Sequence, residues 1–263
     1  FEGQDLQSIG KGVTGAKEVT VSFYVKANAA FTFGLELYDA DNTRQITKLF
    51  TTTAGWVRHE LTFPADVDDG SSPFVDDNGL SLTLGFWLHA GTTFTGGTLN
   101  TTAWANNTNA NRAAGIDSFY SSTDNNFFIT GVQMEVGSVA TPFEHRSYGE
   151  ELALCQRYFQ KSYQTGVTLG TVTAEGEIRY IGNSGYGEAA PVVQFKTTMR
   201  VSPTKTFYSP TSGTSGKARN HSTAADVTHS ASNTSSDTSY SGSNYGAPDG
   251  NVMGYQYALD SEL

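Results

Sequence analysis

The stretch "EVTVSFYVKA", Glu18–Ala27, decides the fold class of this 263-residue chain. Its apolar side chains alternate with polar ones, and the apolar set is Val19, Val21, Phe23 and Val25. Successive side chains of a strand point to opposite faces, so a period of two indicates a strand buried on one face. β-branched and aromatic residues also favour strands. The stretch therefore predicts a half-buried strand within an all-β domain.

The same alternation recurs along the first half of the chain, in residues 31–37, 56–63, 80–88 and 127–136. Pro64 ends one of these runs, and we expect Gly131 to mark a β-bulge. Trp56 begins its run, and we expect it in the core or at the edge of a sandwich. Several short strands joined by turn residues predict a two-sheet β-sandwich of jelly-roll type over residues 1–146.

Composition excludes several classes of protein. The formal net charge is −10 and no basic patch is present, so we expect no nucleic-acid partner. No apolar run approaches the roughly 18 residues that a membrane helix needs, so we expect no membrane insertion. The single cysteine, Cys155, excludes an internal disulfide and a thiolate-rich metal site. The chain begins at Phe1 rather than Met, and we expect the N-terminal strand of the sandwich to precede it.

A different pattern follows the sandwich, in the segment 147–162. From Gly149 to about Lys161, apolar residues recur at i, i+3 and i+7, as Leu152, Cys155 and Phe159. With acidic residues in its first turn, this pattern predicts a connecting helix of about three turns. Such a short helix is marginal alone, so its apolar stripe is expected to meet its copies around a trimer axis. The alternative is that it packs on its own sandwich.

Residues 163–263 predict a β-rich C-terminal tip. Strand patterns flank a segment, Ser209–Tyr245, that is rich in Ser and Thr and poor in large aliphatic residues. Alone, such a segment buries too little apolar surface to offset the entropy of ordering. It is either disordered or a set of edge strands that neighbouring chains stabilise. The strand pattern of the last residues favours the second alternative.

Candidates for metal binding and catalysis are few. The acidic stretch that begins with Asp66, Asp68 and Asp69 offers oxygen ligands for Ca²⁺, although it lacks the pattern of a calcium loop. A solvated turn is the favoured alternative, and no cofactor is expected. A glycosidase would need two facing carboxylates, for which the candidates are Glu36, Glu60, Glu135 and Glu144. Glu36 and Glu60 are expected to be solvated, and Cys155 is expected to pack as a small hydrophobe. The sequence therefore predicts a protein without enzymatic activity.

Saccharide binding is better supported, because sugars are commonly held by an aromatic face together with polar side chains. The long polar loop Gly96–Asn126 and the strand before it supply both kinds of group. The candidate residues are Trp87, Trp104, Asn106, Asn107 and Tyr120. Trp104 is either an exposed platform or a plug of the sandwich. Trp87 faces solvent or lies beneath a loop.

One motif resembles a known family. It reads Q-x-E-x-G-x₃-T-P-F-E-x-R and then E-L-x₂-C-x-R-Y; its residues are Gln133, Glu135, Gly137, Thr141, Pro142, Phe143, Glu144, Arg146, Glu151, Leu152, Cys155, Arg157 and Tyr158. This pattern resembles virion proteins of tailed bacteriophages, in particular tail fibres and receptor-binding proteins. The resemblance implies a carbohydrate-binding-module-like jelly roll, a connecting helix and a β-rich tip. It also implies a homotrimer, contacts with other virion tail proteins and recognition of host surface polysaccharide.

The sequence thus predicts a phage tail fibre or receptor-binding protein, which acts outside the cell on the virion and mediates attachment to host glycans. A purely structural fibre or head appendage is the first alternative. A polysaccharide depolymerase is the second, and no residue pattern favours it.

Overall fold

A computed structural model of the chain describes residues 1–67, 72–182, 191–243 and 249–262. They form two compact units, Phe1–His145 and Arg146–Glu262. Both units are built mainly of antiparallel strands, which confirms the all-β prediction. The connecting helix belongs to the second unit. No helix among the described residues is long and apolar enough to span a membrane.

The first unit contains two antiparallel sheets, whose strands are numbered in chain order. In the first sheet, β1 (Val19–Ala27) lies between β4 (Val57–Phe63) and β7 (Phe127–Val136). The second sheet has the order β5 (Leu82–Trp87), β2 (Thr32–Asp39), β3 (Arg44–Thr51) and β6 (Ala105–Asn106). The short helix α1 (Thr92–Thr95) and 3₁₀ turns at Gly3–Ile9, Asn109–Asn111 and Phe119–Ser121 lie in the connections.

The core of the first unit lies between these two sheets. The inward side chains of β1 and β2 are fully buried, as the alternation predicts, and include Val21, Phe23, Leu35 and Leu37. Phe23 of β1 makes edge-on ring contacts with Phe50 of β3, at a centroid distance of 5.0 Å. One apolar layer thus joins both sheets, and the unit is a β-sandwich.

The predicted bulge is present at Gly131. The pairing of β1 with β7 shifts register between Ser22 and Tyr24, and Gly131 has a φ of 59°. A Cβ atom at this position would lie 3.1 Å from the Tyr24 ring. Glycine therefore fits both the left-handed backbone and the close approach of the ring.

The segment that follows β7 folds back over the outer face of the first sheet. Glu135 accepts hydrogen bonds from the backbone N–H and the hydroxyl of Thr141, at 3.0 and 2.5 Å. Gln133 accepts from the backbone N–H of Glu144 at 2.7 Å, and Arg58 donates to the Thr141 carbonyl at 2.5 Å. These bonds account for the Gln, Glu and Thr of the Q-x-E-x-G-x₃-T-P-F-E pattern, because each holds residues 137–145, here called the return segment, against the sheet.

The second unit is built around its last strand, β16 (Val252–Asp260). The strands that pair with it directly are β8 (Phe159–Lys161), β9 (Ile178–Ile181), β11 (Thr204–Tyr208) and β12 (Lys217–Asn220). β13 (Ala225–Thr228) continues this sheet beyond β12. A second sheet has the order β10 (Val192–Gln194), β15 (Ser239–Ser243) and β14 (Ser230–Ser235).

Aromatic side chains dominate the core of the second unit. Tyr240, Tyr255 and Met253 are almost fully buried, and Phe207 packs edge-on against Tyr255 with ring centroids 5.5 Å apart. The Ser/Thr-rich segment takes part in this unit, since strands β12 to β15 pair within the chain. The last two residues of that segment, 244 and 245, lie outside the described residues.

The connecting helix, α2, spans Tyr148–Gln156 and is shorter than predicted. It begins with a capping box. The Ser147 hydroxyl accepts a hydrogen bond from the backbone N–H of Glu150, and the Glu150 carboxylate accepts one from the backbone N–H of Ser147. The predicted continuation to Lys161 is wrong. Residues 159–161 form β8 instead, because pairing with β16 satisfies their backbone groups.

Candidate functional site

The outer face of the second sheet carries the candidate site. Glu36 and Tyr38 alternate along β2 with the core residues Leu35 and Leu37, so they point away from the core. Glu36 pairs with Gly85 of β5, and Trp87 lies two residues further along the same face. Strand alternation thus places a carboxylate and two aromatic rings together on this face.

Residues 91–116 form an ordered loop over this face. Ala113 donates a backbone hydrogen bond to the Phe94 carbonyl at 2.9 Å, and Gly97 donates to the Ala110 carbonyl at 2.8 Å. The loop is anchored to the sheet where the Thr47 hydroxyl of β3 donates to the Arg112 carbonyl at 2.9 Å. The anchor fixes the backbone from which the Arg112 side chain reaches across the sheet.

Arg112 and Glu36 form a two-point ion pair. Arg112 Nε donates to Glu36 Oε1 and Nη2 donates to Oε2, both at 2.8 Å, and Trp87 Nε1 donates to Oε2 at 2.9 Å. The Glu36 side chain is only 4% exposed. Hydrogen bonding to Glu36 raises the pKa of Arg112 above its usual value, although burial opposes this. The expectation that Glu36 is solvated is wrong, because the loop covers it.

Three aromatic rings surround the Arg112 guanidinium. Its central carbon lies 4.6 Å from the centroid of Tyr38, 5.4 Å from that of Trp87 and 5.9 Å from that of Phe94. The rings of Trp87 and Phe94 also contact each other, at 5.2 Å. We call these five residues, Glu36, Tyr38, Trp87, Phe94 and Arg112, the Trp87 cluster. Stacking and the ion pair together hold its aromatic rings in fixed positions.

Open space adjoins the Trp87 cluster above Gly85. A Cβ atom built at Gly85 would meet no atom within 4 Å. A Cβ atom at Gly34, which pairs with Trp87 across the strands, would lie 3.1 Å from Thr47. Trp87, Tyr38 and Phe94 are all partly exposed. The outer face of the sheet is therefore open above Gly85, beside aromatic rings and a charged pair. This combination suits a ligand that has both apolar faces and polar edges.

The other tryptophan of the predicted saccharide site lies elsewhere. Trp104 is 8% exposed and belongs to the core, and its Nε1 donates to the Pro64 carbonyl at 2.9 Å. Of the two alternatives for Trp104, the plug of the sandwich is confirmed, so its assignment as a saccharide ligand is wrong. Trp56 is 50% exposed and lies one residue before β4, an outer strand of its sheet, so of the two expected positions it takes the edge and not the core.

The remaining predicted saccharide ligands are exposed but scattered. Asn106 accepts a hydrogen bond from Arg44 at 3.1 Å, and the backbone of Asn107 donates to the Thr43 carbonyl. Tyr120 is 76% exposed, and its ring lies 5.2 Å from that of His89. In the described part of the chain, no hydrogen bond or ring contact joins these three residues to the Trp87 cluster.

The predicted calcium ligand Asp66 is already neutralised by side chains. Arg44 Nε and Nη2 donate to its two oxygens at 2.7 and 2.8 Å. Lys11 Nζ lies 3.6 Å from Asp66 and 2.5 Å from Asp39, and it donates to the Ser72 carbonyl at 3.0 Å. The prediction that Asp66 is a calcium ligand is wrong, because the cations beside it are an ammonium and a guanidinium.

Asp68 and Asp69, the other two predicted calcium ligands, lie outside the described residues. Among the residues that are described, no three His, Cys, Asp or Glu side chains are grouped so as to hold a metal ion.

The other three residues proposed for catalysis lie on or beside the first sheet. The Glu135 carboxylate holds the return segment, and the hydrogen bond from the Thr141 side chain, followed by one from Gln133, lowers its pKa. Glu144 belongs to the return segment, and its backbone N–H donates to Gln133. Glu60 is an exposed residue paired with Arg58 at 2.6 Å. The carboxylates of Glu135 and Glu60 thus have partners within the sandwich.

The predicted oligomerisation residues lie together. Leu152, Cys155 and Phe159 line one cavity of about 160 Å³ in the second unit, with Tyr163 and Lys196 among its other walls. No residue of α2 is buried, and Cys155 is a free, exposed thiol. Phe159 reaches this cavity from β8 rather than from the helix.

Comparisons of the chain with models of protein families, with curated proteins and with solved structures find no match. Function is therefore inferred from the contacts described above and from the residue patterns of the sequence.

Sequence reasoning identified Trp87 but missed Arg112, Phe94 and Tyr38. The strand alternation that places Tyr38 beside Glu36 on the outer face is visible in the sequence. The contact between Glu36 and Arg112 is not visible in the sequence, because the two residues are 76 positions apart and only the fold of the loop brings them together.

Proposed function

We propose that this protein is a tail-fibre or receptor-binding protein of a tailed bacteriophage, and that it attaches the virion to glycans of the host surface. The residue pattern between Gln133 and Tyr158, which resembles such proteins, supports the virion assignment. The Trp87 cluster supports glycan binding and is the observation that carries the proposal. In this role the protein is extracellular, binds its ligand without catalysis and uses no cofactor.

A pyranose ring fits the chemistry of the Trp87 cluster. The C–H groups of a sugar form apolar faces that stack on aromatic rings, and its hydroxyls lie around the rim. Trp87 and Tyr38 are partly exposed and offer such faces, and the open space over Gly85 leaves room beside them. Because the rings are fixed before binding, little side-chain entropy is lost when the ligand docks.

The charge of the cluster favours a neutral sugar. Arg112 and Glu36 cancel each other within a two-point ion pair. A ligand that carried its own charge would have to compete with that pair. Hydroxyl groups, in contrast, can hydrogen-bond at its edges without separating the two charges.

The test is a glycan array probed with the purified full chain, followed by titration of the strongest neutral ligand. We expect Trp87→Ala to weaken binding of that ligand about tenfold, since aromatic contacts contribute roughly 0.5–1.5 kcal/mol beyond their buried area. Trp56→Ala is the matched control, because it removes an exposed tryptophan from the opposite sheet. Absence of any neutral ligand, or equal binding by Trp87→Ala and the parent chain, would contradict the site.

We further propose that the chain is a homotrimer held through α2. The support is that no residue of this nine-residue helix is buried, and that Leu152, Cys155 and Phe159 line one open cavity. Light scattering should give about three times the 28.2 kDa mass of the chain. Leu152→Asp should lower the measured mass, and Leu154→Asp, on another side of the helix, is the control. A monomeric parent chain would refute the proposal.

A purely structural role in the virion is the second candidate, and the outer strand β7 favours it. None of its ten residues is buried, and Ile129, Val132 and Val136 are 38–43% exposed. An exposed apolar edge strand is a natural site for pairing with another chain. Binding to other virion tail proteins without any glycan affinity would favour this role over attachment.

A further inference from the structure

A row of three side chains crosses the outer face of the first sheet at the end of β1. Lys26 pairs with Phe128 of β7, and Trp56 lies on its other side, one residue before the Val57 that pairs with Val25. Lys26 Nζ lies 5.2 Å from the centroid of Trp56 and 4.9 Å from that of Phe128. The ammonium is therefore held between two rings by cation–π contacts. We call these residues the Trp56 row.

The Trp56 row is accessible although much of the same face is covered. The return segment crosses the other end of the sheet, where Thr20 and Thr62 donate to its Gly137 and Ser138 carbonyls. Trp56 and Phe128 are 50% and 48% exposed. Two large apolar rings thus lie open side by side, on a sheet whose remaining outer residues are mostly polar.

The charge of Lys26 is unbalanced at this site. In the described ranges, Lys26 forms no ion pair, whereas the neighbouring cation, Arg58, is paired with Glu60. Aromatic rings orient an ammonium group but leave its full positive charge. A fixed cation between apolar faces therefore distinguishes this row from the Trp87 cluster, whose guanidinium is neutralised by Glu36.

Two amides lie beside the row. Asn28 follows β1 directly, and its side chain donates to that of Asn125 at 3.4 Å while accepting from the backbone of Asn126 at 2.9 Å. Asn28 is exposed. Amide groups at the rim can donate to and accept from hydroxyls, so the surroundings of the row combine apolar, cationic and hydrogen-bonding groups.

We propose that the Trp56 row binds a saccharide that carries a carboxylate. The apolar face of the sugar stacks on Trp56 or Phe128, the carboxylate meets the Lys26 ammonium, and the rim amides bind hydroxyls. The choice of a saccharide rests on the proposed attachment function, whereas the site and its preference for an anion rest on these contacts. An anionic membrane is a poorer partner, because the row supplies one cation, whereas surfaces that bind anionic lipids cluster several basic residues.

The experiment compares hexagalacturonate with cellohexaose, a neutral oligosaccharide of equal length, by calorimetric titration of the full chain. We expect Lys26→Gln to weaken hexagalacturonate binding about threefold to fivefold, the upper part of the range for an exposed ion pair. Lys26→Arg should retain most of the affinity, and Trp56→Ala should lower it by up to about tenfold. Raising the salt concentration should weaken binding of hexagalacturonate to the parent chain.

The control is Trp87→Ala, which should leave hexagalacturonate binding unchanged. Equal affinity of Trp87→Ala, which lacks the proposed neutral site, for both oligosaccharides, unchanged hexagalacturonate affinity in Lys26→Gln, or no binding of hexagalacturonate would each overturn the proposal. Unchanged neutral-glycan binding in Trp87→Ala would contradict the proposed function alone, so the two failures are distinguishable. Melting curves of every variant confirm that a loss of binding is not a loss of folding.

Discussion

Replacing Lys11 by methionine tests the buried charges at one end of the sandwich. Lys11 Nζ lies 2.5 Å from Asp39, and the two side chains are 2% and 0% exposed. Methionine fills a similar volume but has no charge. The substitution therefore leaves the Asp39 carboxylate buried without the positive charge of Lys11. The backbone and side chain of Asn42 still donate hydrogen bonds to that carboxylate.

The expected loss is about 3–5 kcal/mol in the free energy of unfolding of the first unit, the range for breaking a buried ion pair. The Coulomb attraction between Lys11 and Asp39 at 2.5 Å is larger than this loss, about 7 kcal/mol at an effective dielectric constant of about 20. Part of it offsets the cost of removing both ions from water, so the pair itself adds less than this to stability. Removing one partner is costly because the desolvation of the other remains.

Tryptophan fluorescence isolates this effect. All three tryptophans, Trp56, Trp87 and Trp104, lie in the first unit, so denaturant curves followed at tryptophan emission report on that unit. Lys17→Met is the control, because Lys17 is exposed and its replacement should change stability by less than about 0.5 kcal/mol.

A second variant separates lost charge from lost packing. Lys11→Met combined with Asp39→Asn removes the buried charge while keeping an acceptor for Asn42, so part of the loss should be recovered. A Lys11→Met protein within 1 kcal/mol of the parent chain would refute the reasoning. So would a double variant less stable than Lys11→Met alone, because the penalty would not then come from the unpaired carboxylate.

Three further predictions concern titration and capping. Burial raises the pKa of Tyr255 to about 12 and that of Tyr240 further. Because an unfolded tyrosine loses its proton near pH 10, the second unit should lose stability above about pH 10. Phenolate absorbance that rises well before unfolding would contradict this prediction. Hydrogen bonding from Thr141 lowers the pKa of Glu135. The parent chain should therefore be more stable than Glu135→Gln above about pH 4.3 and lose that advantage in more acidic solution. Parallel curves of stability against pH for the two proteins would contradict this role of Glu135. Ser147→Ala should cost the second unit about 1 kcal/mol through the lost cap, and unchanged denaturant midpoints would show that the cap is dispensable.

The strands of the first unit were predictable because their signal is local. Alternation over Glu18–Ala27 places Phe23 in the core and Tyr24 outside it without reference to any other strand, and the structure has both as expected. The end of α2 was not predictable in this way. Whether residues 159–161 continue the helix depends on β16, almost a hundred residues further along the chain.

Two tryptophans, for each of which the sequence left two positions open, show the same limit. Trp56 shares its strand face with Arg58, Glu60 and Thr62, so alternation indicates the outer face, but it does not decide between the core and the edge of the sandwich. Trp104 offered no such periodicity. Its burial depends on how the loop closes the end of the sandwich, where Pro64 supplies the acceptor for the indole N–H.

In the proposed attachment to glycans, the motif that resembles phage fibres contributes only indirectly. Gln133, Glu135 and Thr141 use their side chains to hold the return segment, so those groups are engaged before any ligand arrives. Recognition is then left to residues outside the motif, on the outer faces of the two sheets. The Trp87 cluster is internally neutral and the Trp56 row carries an unbalanced cation, so the two faces should select saccharides of different charge. A chain that binds neutral and acidic sugars at separate faces can change one specificity by substitution without disturbing the other.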